Sequence, residues 1–183
     1  MWYNIFVSKI MKSIILSLSA FFILNVCAAQ IIPTFSGETL ENKQVTIPND
    51  TKGKYAFLCF ASSMKAQKEL ETWMDPVYNK FIAKTGVMDA FFDVQVFFVP
   101  VFKGSDASIQ ETVRKKFNET AQDDVRGNVL FCKGDLTQVM TALHIQNENA
   151  PYFFLLDPEG KIIYRTSGAF SEKKFDEIDE MIE

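Results

Sequence analysis

The chain has 183 residues, and its 19 basic against 23 acidic side chains leave a net charge of −4 with a single histidine. This mildly acidic balance, without any basic cluster, argues against nucleic acid as a partner. An apolar fraction of 48% with 18 phenylalanines is that of a packed globule and excludes a disordered chain.

Residues 1–29 carry Lys9 and Lys12, no acidic residue, an apolar run from Ile14 to Leu24, and the small residues Cys27, Ala28 and Ala29. A charged, an apolar and a small-residue region in that order form a secretory signal, and the apolar core is short for a membrane span. Met11 would itself make a good start. Cleavage is expected after Ala29, leaving one domain at 30–183 that is large enough for a real core. Losing two lysines takes the mature charge from −4 to −6. A protein so processed is periplasmic or secreted, in a bacterial cell envelope. Two alternatives stay open, lipidation at Cys27 (opposed by bulky Val26 before it) and retention as an anchor helix. Either would give membrane association through the N-terminus.

The first elements read as a strand at 31–35, a turn at Ser36-Gly37-Glu38, and a strand at 44–47 ended by Pro48. The apolar run Tyr55 to Phe60 reads as a buried strand. It feeds a helix from about Lys65 to Phe81 through Ala61-Ser62-Ser63-Met64. Apolar Ala66, Leu70, Trp73, Val77 and Phe81 recur there at intervals of three and four. Pro76 is expected to kink that helix, because it removes one hydrogen bond and crowds the preceding turn. The run Val94 to Phe102 is nearly continuous apolar, as in a strand covered on both faces. A second helix begins near Gly104-Ser105, with Ile109, Val113 and Phe117 on one stripe. A polar loop at 118–128 leads to the short strand 129–132 and a third helix at 136–144. Two apolar runs around Asp157-Pro158-Glu159-Gly160 make a hairpin. Phe175, Ile178 and Ile182 mark a last helix. Alternating strands and helices predict one layered α/β domain.

The strand-turn-helix at 55–81, then Ala150-Pro151 before an apolar strand, then Leu156 to Ile162 and a closing helix, resemble the redoxin, TlpA-like branch of the thioredoxin-like superfamily. The resemblance covers Ile31 to Glu183. It implies a three-layer sandwich with a mixed central sheet, an N-terminal β-hairpin extension and a cis-proline at Pro151. Trp73 with Pro76, and the Gly160 to Gly168 stretch, are similar to a mitochondrial ATP-synthase assembly factor family, which shares the fold and is not a disulfide enzyme.

The departures from the superfamily bear on function. Met64 and Gln67 stand where the two thiols of a Cys-x-x-Cys pair would be, and a thioether and an amide form no thiolate. Segment 62–70 also lacks the cysteine a peroxidase of this fold would need. Cys59 and Cys132 each sit in an apolar run, and the strand 94–102 is expected between theirs. Two strand steps put them about 9.6 Å apart, beyond the roughly 7 Å a disulfide tolerates. His144, the only histidine, has no clustered partner for a metal or a triad. Ser62-Ser63 suits a helix cap better than a nucleophile without a base. Asp123-Asp124 reads as a solvated face.

The sequence thus predicts a protein without catalytic residue, cofactor or metal, binding a protein or peptide in a chaperone or assembly role. Its groove would be Ser62, Ser63, Met64, Gln67, Ala150 and Pro151. There the Ala150 backbone would pair with an extended segment, and Met64 would supply an adaptable apolar wall. The rivals are a thiol oxidoreductase or peroxidase using Cys59 or Cys132, and a structural module of an envelope complex.

Overall fold

The structure, a computed structural model, describes residues 30–102 and 107–182; the expected signal and its cleavage site lie outside these residues. The strands are β1 (Phe35–Thr39), β2 (Gln44–Ile47), β3 (Tyr55–Ala61), β4 (Val94–Pro100), β5 (Leu130–Cys132), β6 (Tyr152–Leu156) and β7 (Ile162–Ser167). The helices are α1 (Met64–Val77), α2 (Ala107–Thr120), α3 (Thr137–Ala142) and α4 (Glu172–Glu180). One sheet has the order β4-β3-β6-β7, with β3 and β4 parallel and the other pairs antiparallel. A second, β2-β1-β5, joins its open edge through a parallel bridge from Phe98 to Val129. The Asn128 amide strengthens that seam by donating to the Val96 carbonyl at 2.9 Å.

Strand alternation sends β3 residues to two cores. Phe57 and Cys59 face α1 and α4, packing with Leu70, Trp73, Val77, Phe153, Leu155 and Ile178. Ala56, Leu58 and Phe60 face the other way, toward α3 and the N-terminal segment, with Ile32, Ile47, Leu130, Leu143 and Leu156. A smaller cluster of Leu40, Val129 and Phe131 lies under α2, joined by Val113 and Phe117. The expected mixed sheet, its covering helices and the N-terminal hairpin are all present.

Three expectations are corrected. The first strand is not 31–35 and the first turn is not 36–38: β1 begins at Phe35 and contains 36–38, and β1 and β2 meet through residues 40–43. There Asn42 has a φ of +64°, and its N–H donates to the Thr39 carbonyl at 3.0 Å. Asparagine tolerates that left-handed geometry. Gly37 serves close packing: a Cβ there would lie 2.7 Å from the Phe131 carbonyl oxygen of β5.

The second correction concerns Pro151. The cis X–Pro bond is Ile47–Pro48, and Ala150–Pro151 is not cis. An X–Pro bond intrinsically favours trans by about 0.5–1 kcal/mol. Here a turn makes the bend instead, with the Ala150 N–H donating to the Asn147 carbonyl at 3.2 Å and the Asn149 N–H to Asn147 Oδ1 at 3.0 Å.

The third concerns the end of the first helix. Pro76 is accommodated inside α1, and the helix widens just after it into a π-helical turn at Tyr78–Ile82 rather than continuing as α to Phe81.

Candidate functional site

β3 and β4 run parallel, so their C-terminal ends both open toward the starts of helices, the edge where α/β sheets most often hold ligands. At the end of β3 the chain passes through Ser62 into Ser63, the N-cap of α1. Ser63 has extended geometry, and its Oγ accepts from the Ala66 N–H at 3.1 Å, satisfying one otherwise orphaned helix donor. The same hydroxyl donates to the Glu148 carbonyl at 2.8 Å, and Ser62 Oγ donates there at 3.3 Å. Two hydroxyls on one carbonyl tie the 147–150 turn to the helix start. Both hydroxyl protons are thereby engaged, and no base among the described residues bonds to either serine.

Met64 and Gln67 stand on the first turn beyond the cap. Met64 is 77% exposed although apolar, while Gln67 is half-buried. With Ser62 and Ser63 they form the mouth of a cavity of about 750 Å³ between α1 and α2. Its floor is Cys59, Phe98 and Val129; Leu70 and Met74 form one wall, Val113 and Phe117 the other. That volume lies in the range that takes a small ligand or several side chains. Glu71 and Asp75 line the α1 side, and no lysine or arginine is among the described lining residues. At the far end Tyr78 donates its hydroxyl proton to the Asp124 carboxylate, closing the gap between α1 and the 123–128 turn. That carboxylate raises the tyrosine's pKa above its ordinary value.

Of the predicted site residues, the structure gathers Ser62, Ser63, Met64 and Gln67 at this mouth and leaves Ala150 and Pro151 outside it. Pro151 is buried, and the Ala150 N–H is spent within its own turn. The backbone pairing expected at Ala150 therefore loses its donor. Sequence reasoning missed the opposite wall. The stripe Ile109, Val113, Phe117 was legible as a helix face, but nothing in it says that α1 stands off by the width of a cavity.

Both described thiols are buried. Cys59 is wholly buried, and burial pushes its thiol well above the ordinary range. Burial likewise raises Cys132 to about 12. Both cysteines are free, β4 lies between their strands, and their side chains belong to opposite cores. Trp73 is fully buried with its indole N–H on the Gly168 carbonyl at 3.0 Å, a core residue with its one donor satisfied. His144 is exposed just past α3, with a φ of +51°. No cluster of histidine, cysteine or carboxylates among the described residues could hold a metal.

Compared with known proteins, residues 23–183 match the family described as ATP10 protein. Among solved structures the chain is similar to the pneumococcal exposed lipoprotein thioredoxin Etrx1 of Streptococcus pneumoniae strain TIGR4. The TM-score is 0.56 at 13% identity, over 81% of this chain and 99% of that one. It is similar to StoA of Bacillus subtilis, with TM-score 0.53 at 21% identity over 80% and 96%. It is also similar to BsSco, a member of the Sco family of cytochrome c oxidase assembly proteins, with TM-score 0.54 at 13% identity over 82% and 90%. These likenesses establish the fold as thioredoxin-like. No curated protein matches the chain.

Proposed function

The chain belongs to the ATP10 protein family, and on that premise we propose that it is a non-catalytic assembly or chaperone factor that holds a segment of a protein partner between α1 and α2. The observation that carries this reading is Met64. At the start of α1, where the resemblance to the superfamily implies a reactive thiol, Met64 is an exposed thioether at the mouth of a largely apolar cavity. Methionine adapts its shape to varied apolar surfaces and forms no covalent intermediate. Glu71 and Asp75 along the same opening favour a segment with basic side chains beside its apolar ones. Strand addition at Ala150 has no part in this binding mode.

The rival thiol enzyme is disfavoured by the burial of both cysteines and their raised pKa values, since the thiolate is the reactive species. Export to a periplasm or beyond belongs to the same proposal, supported by the basic, apolar and small-residue order of residues 1–29; sequencing the N-terminus of the purified protein checks it.

A photo-crosslinking residue placed at Met64 or Val113 in the native host tests the binding site. It should capture the same protein partner from both positions, and the same group at exposed Lys173 should not. Turnover of insulin disulfides or of peroxide by the purified chain would sink the non-catalytic reading. An empty cavity, giving no partner from either position, would sink the binding site.

A further inference from the structure

The end of the sheet opposite the cavity carries the two most exposed large apolar residues of the described chain, Val87 and Phe91. In the loop between the π-helical turn and β4, Val87 is 94% exposed, Phe91 78% and Met88 64%. The only charge between Thr85 and Phe92 is Asp89, and it is turned inward. Its carboxylate accepts from the Gly86 N–H at 2.7 Å and lies 4.0 Å from Lys80 Nζ, which itself bonds Asp179 on α4. The tip of the loop is thus free of charge. At the base of the loop Asp93 pairs with Lys54 at 3.0 Å, and Lys84, still cationic, has its Nζ held on the Phe92 carbonyl at 2.7 Å.

Two more exposed apolar residues stand at the same end. Ile31, 62% exposed, pairs with Lys161 at the β6–β7 turn, and Met181, 45% exposed, follows α4 two residues beyond Asp179. A convex, charge-free apolar tip suits a soft phase that closes around it, and enters without desolvating an ion. Where the N-terminus is lipidated at Cys27 or retained as an anchor, the two alternatives to cleavage on which this inference rests, the sequence preceding the described residues points to the same phase. Its apolar run ends at Leu24, and the six steps to Gln30 span at most about 20 Å. Gln30 accepts from the Ile162 N–H through its carbonyl, at the start of β7. Three strand spacings, about 14 Å, separate that edge from β4 and the base of the loop. A bilayer that holds residues 14–24, or an acyl chain on Cys27, is therefore within reach of the loop.

We propose that Val87, Met88 and Phe91 form a lipid-inserting tip that sets this end of the domain against a membrane surface. The interfacial depth of such elements is about 5–10 Å, enough to receive the three side chains. The cavity then opens on the side of the domain away from the bilayer.

The test uses the full chain with Trp2→Phe and Phe91→Trp, so that the remaining native indole is the buried Trp73. Vesicles of phosphatidylcholine with brominated acyl chains should quench the indole at position 91 several-fold relative to unbrominated vesicles and shift its emission to the blue. Trp73 emission should stay unchanged. A triple change of Val87, Met88 and Phe91 to serine should lower the vesicle-bound fraction several-fold, with Trp73 still reporting a folded core. Three results would overturn the proposal: no binding to vesicles, binding with the indole at 91 unquenched, or a blue-shifted indole at 91 without lipid in a chain that elutes as a dimer. The last would assign the tip to a protein interface.

Discussion

The two ends of the central sheet both expose apolar side chains, but in opposite shapes. At the cavity end Met64 and Ile109 flank a concavity walled by two helices and floored by β3, β4 and Val129. At the other end Val87, Met88 and Phe91 crown a convex loop. The difference follows from connectivity. Parallel strands β3 and β4 both lead forward into helices, and where those helices stand apart a hollow is left. The opposite end is made of hairpin turns and a loop, which can only protrude. A concave apolar surface selects what enters it by shape and charge; a convex one yields to a deformable medium.

The comparison depends on α1 being rigid from one end to the other, and Trp73 at its centre is the place to break it. Trp73 is fully buried, lies 4.2 Å from Phe153 with the rings tilted by 31°, and meets Phe170 edge-on at 5.4 Å. Trp73→Ala should cost about 3–5 kcal/mol, measured by denaturant unfolding, because it removes a large core side chain and leaves a void. It should also abolish partner capture at Met64. A cost below about 1 kcal/mol would mean that α1 is held by something other than this core.

The cavity floor gives a smaller effect. Cys59→Ser replaces a thiol that behaves as a small hydrophobe with a hydroxyl that has no partner there, at a cost of about 1–3 kcal/mol. Cys59→Ala should cost less than the serine variant. Native protein should label slowly with a thiol reagent and yield both thiols only on unfolding. Rapid native labelling of Cys59 would show that the floor opens and would revive thiol chemistry there.

Much of this architecture was legible in the sequence, for identifiable reasons. The continuous apolar runs of β3 and β4 and the α1 stripe through Trp73 each report one local period, so strands, helices and their order could be read directly. Gly37 was misread because a glycine that makes a turn and a glycine that lets β5 approach look alike until the strands are paired. Ala150–Pro151 was assigned a cis bond by resemblance; the local turn at Asn147 makes the bend without one. The cavity was half legible. Ser62, Ser63, Met64 and Gln67 lie within six residues of one another and can be named from the chain, whereas the facing wall comes from α2, more than forty residues away. The apolar tip at 87–91 is not legible in the sequence, because exposure is a property of packing and three apolar letters in a loop do not announce it.

The cap of α1 is the next lever. Ser63→Ala removes the Oγ that accepts from Ala66 and donates to Glu148, and should cost about 1 kcal/mol. Hydrogen exchange should rise at the start of α1 and in the 147–150 turn, and not in the 85–92 loop. Equal change at both regions would mean that the two ends are not independent.

The smallest effect concerns the wall opposite Met64 and works through acid. Arg114 on α2 donates from one guanidinium nitrogen to Glu38 Oε1 at 2.6 Å, to the Thr39 carbonyl at 3.1 Å and to Asn42 Oδ1 at 3.2 Å. It thereby ties α2 to the β1–β2 hairpin, with its guanidinium 5.8 Å from the Phe131 ring centre. The hydrogen bond from Arg114 is the main reason the Glu38 carboxyl lies below its ordinary value, with Gln44 and Lys133 acting in the same direction. A carboxylate whose pKa is lower folded than unfolded stabilises the fold at pH above the unfolded value, and that contribution fades as pH falls through the folded one. Acidification below the ordinary carboxylate range should therefore loosen α2 before the core unfolds. Hydrogen exchange along 109–120 should rise with falling pH while the 85–92 loop stays as it was. Glu38→Gln removes the titrating group, so the pH dependence along α2 should flatten and exchange there should be faster already at neutral pH. If α2 in Glu38→Gln kept both the neutral-pH protection and the acid response of the native chain, Arg114 would not be what holds the cavity wall in place.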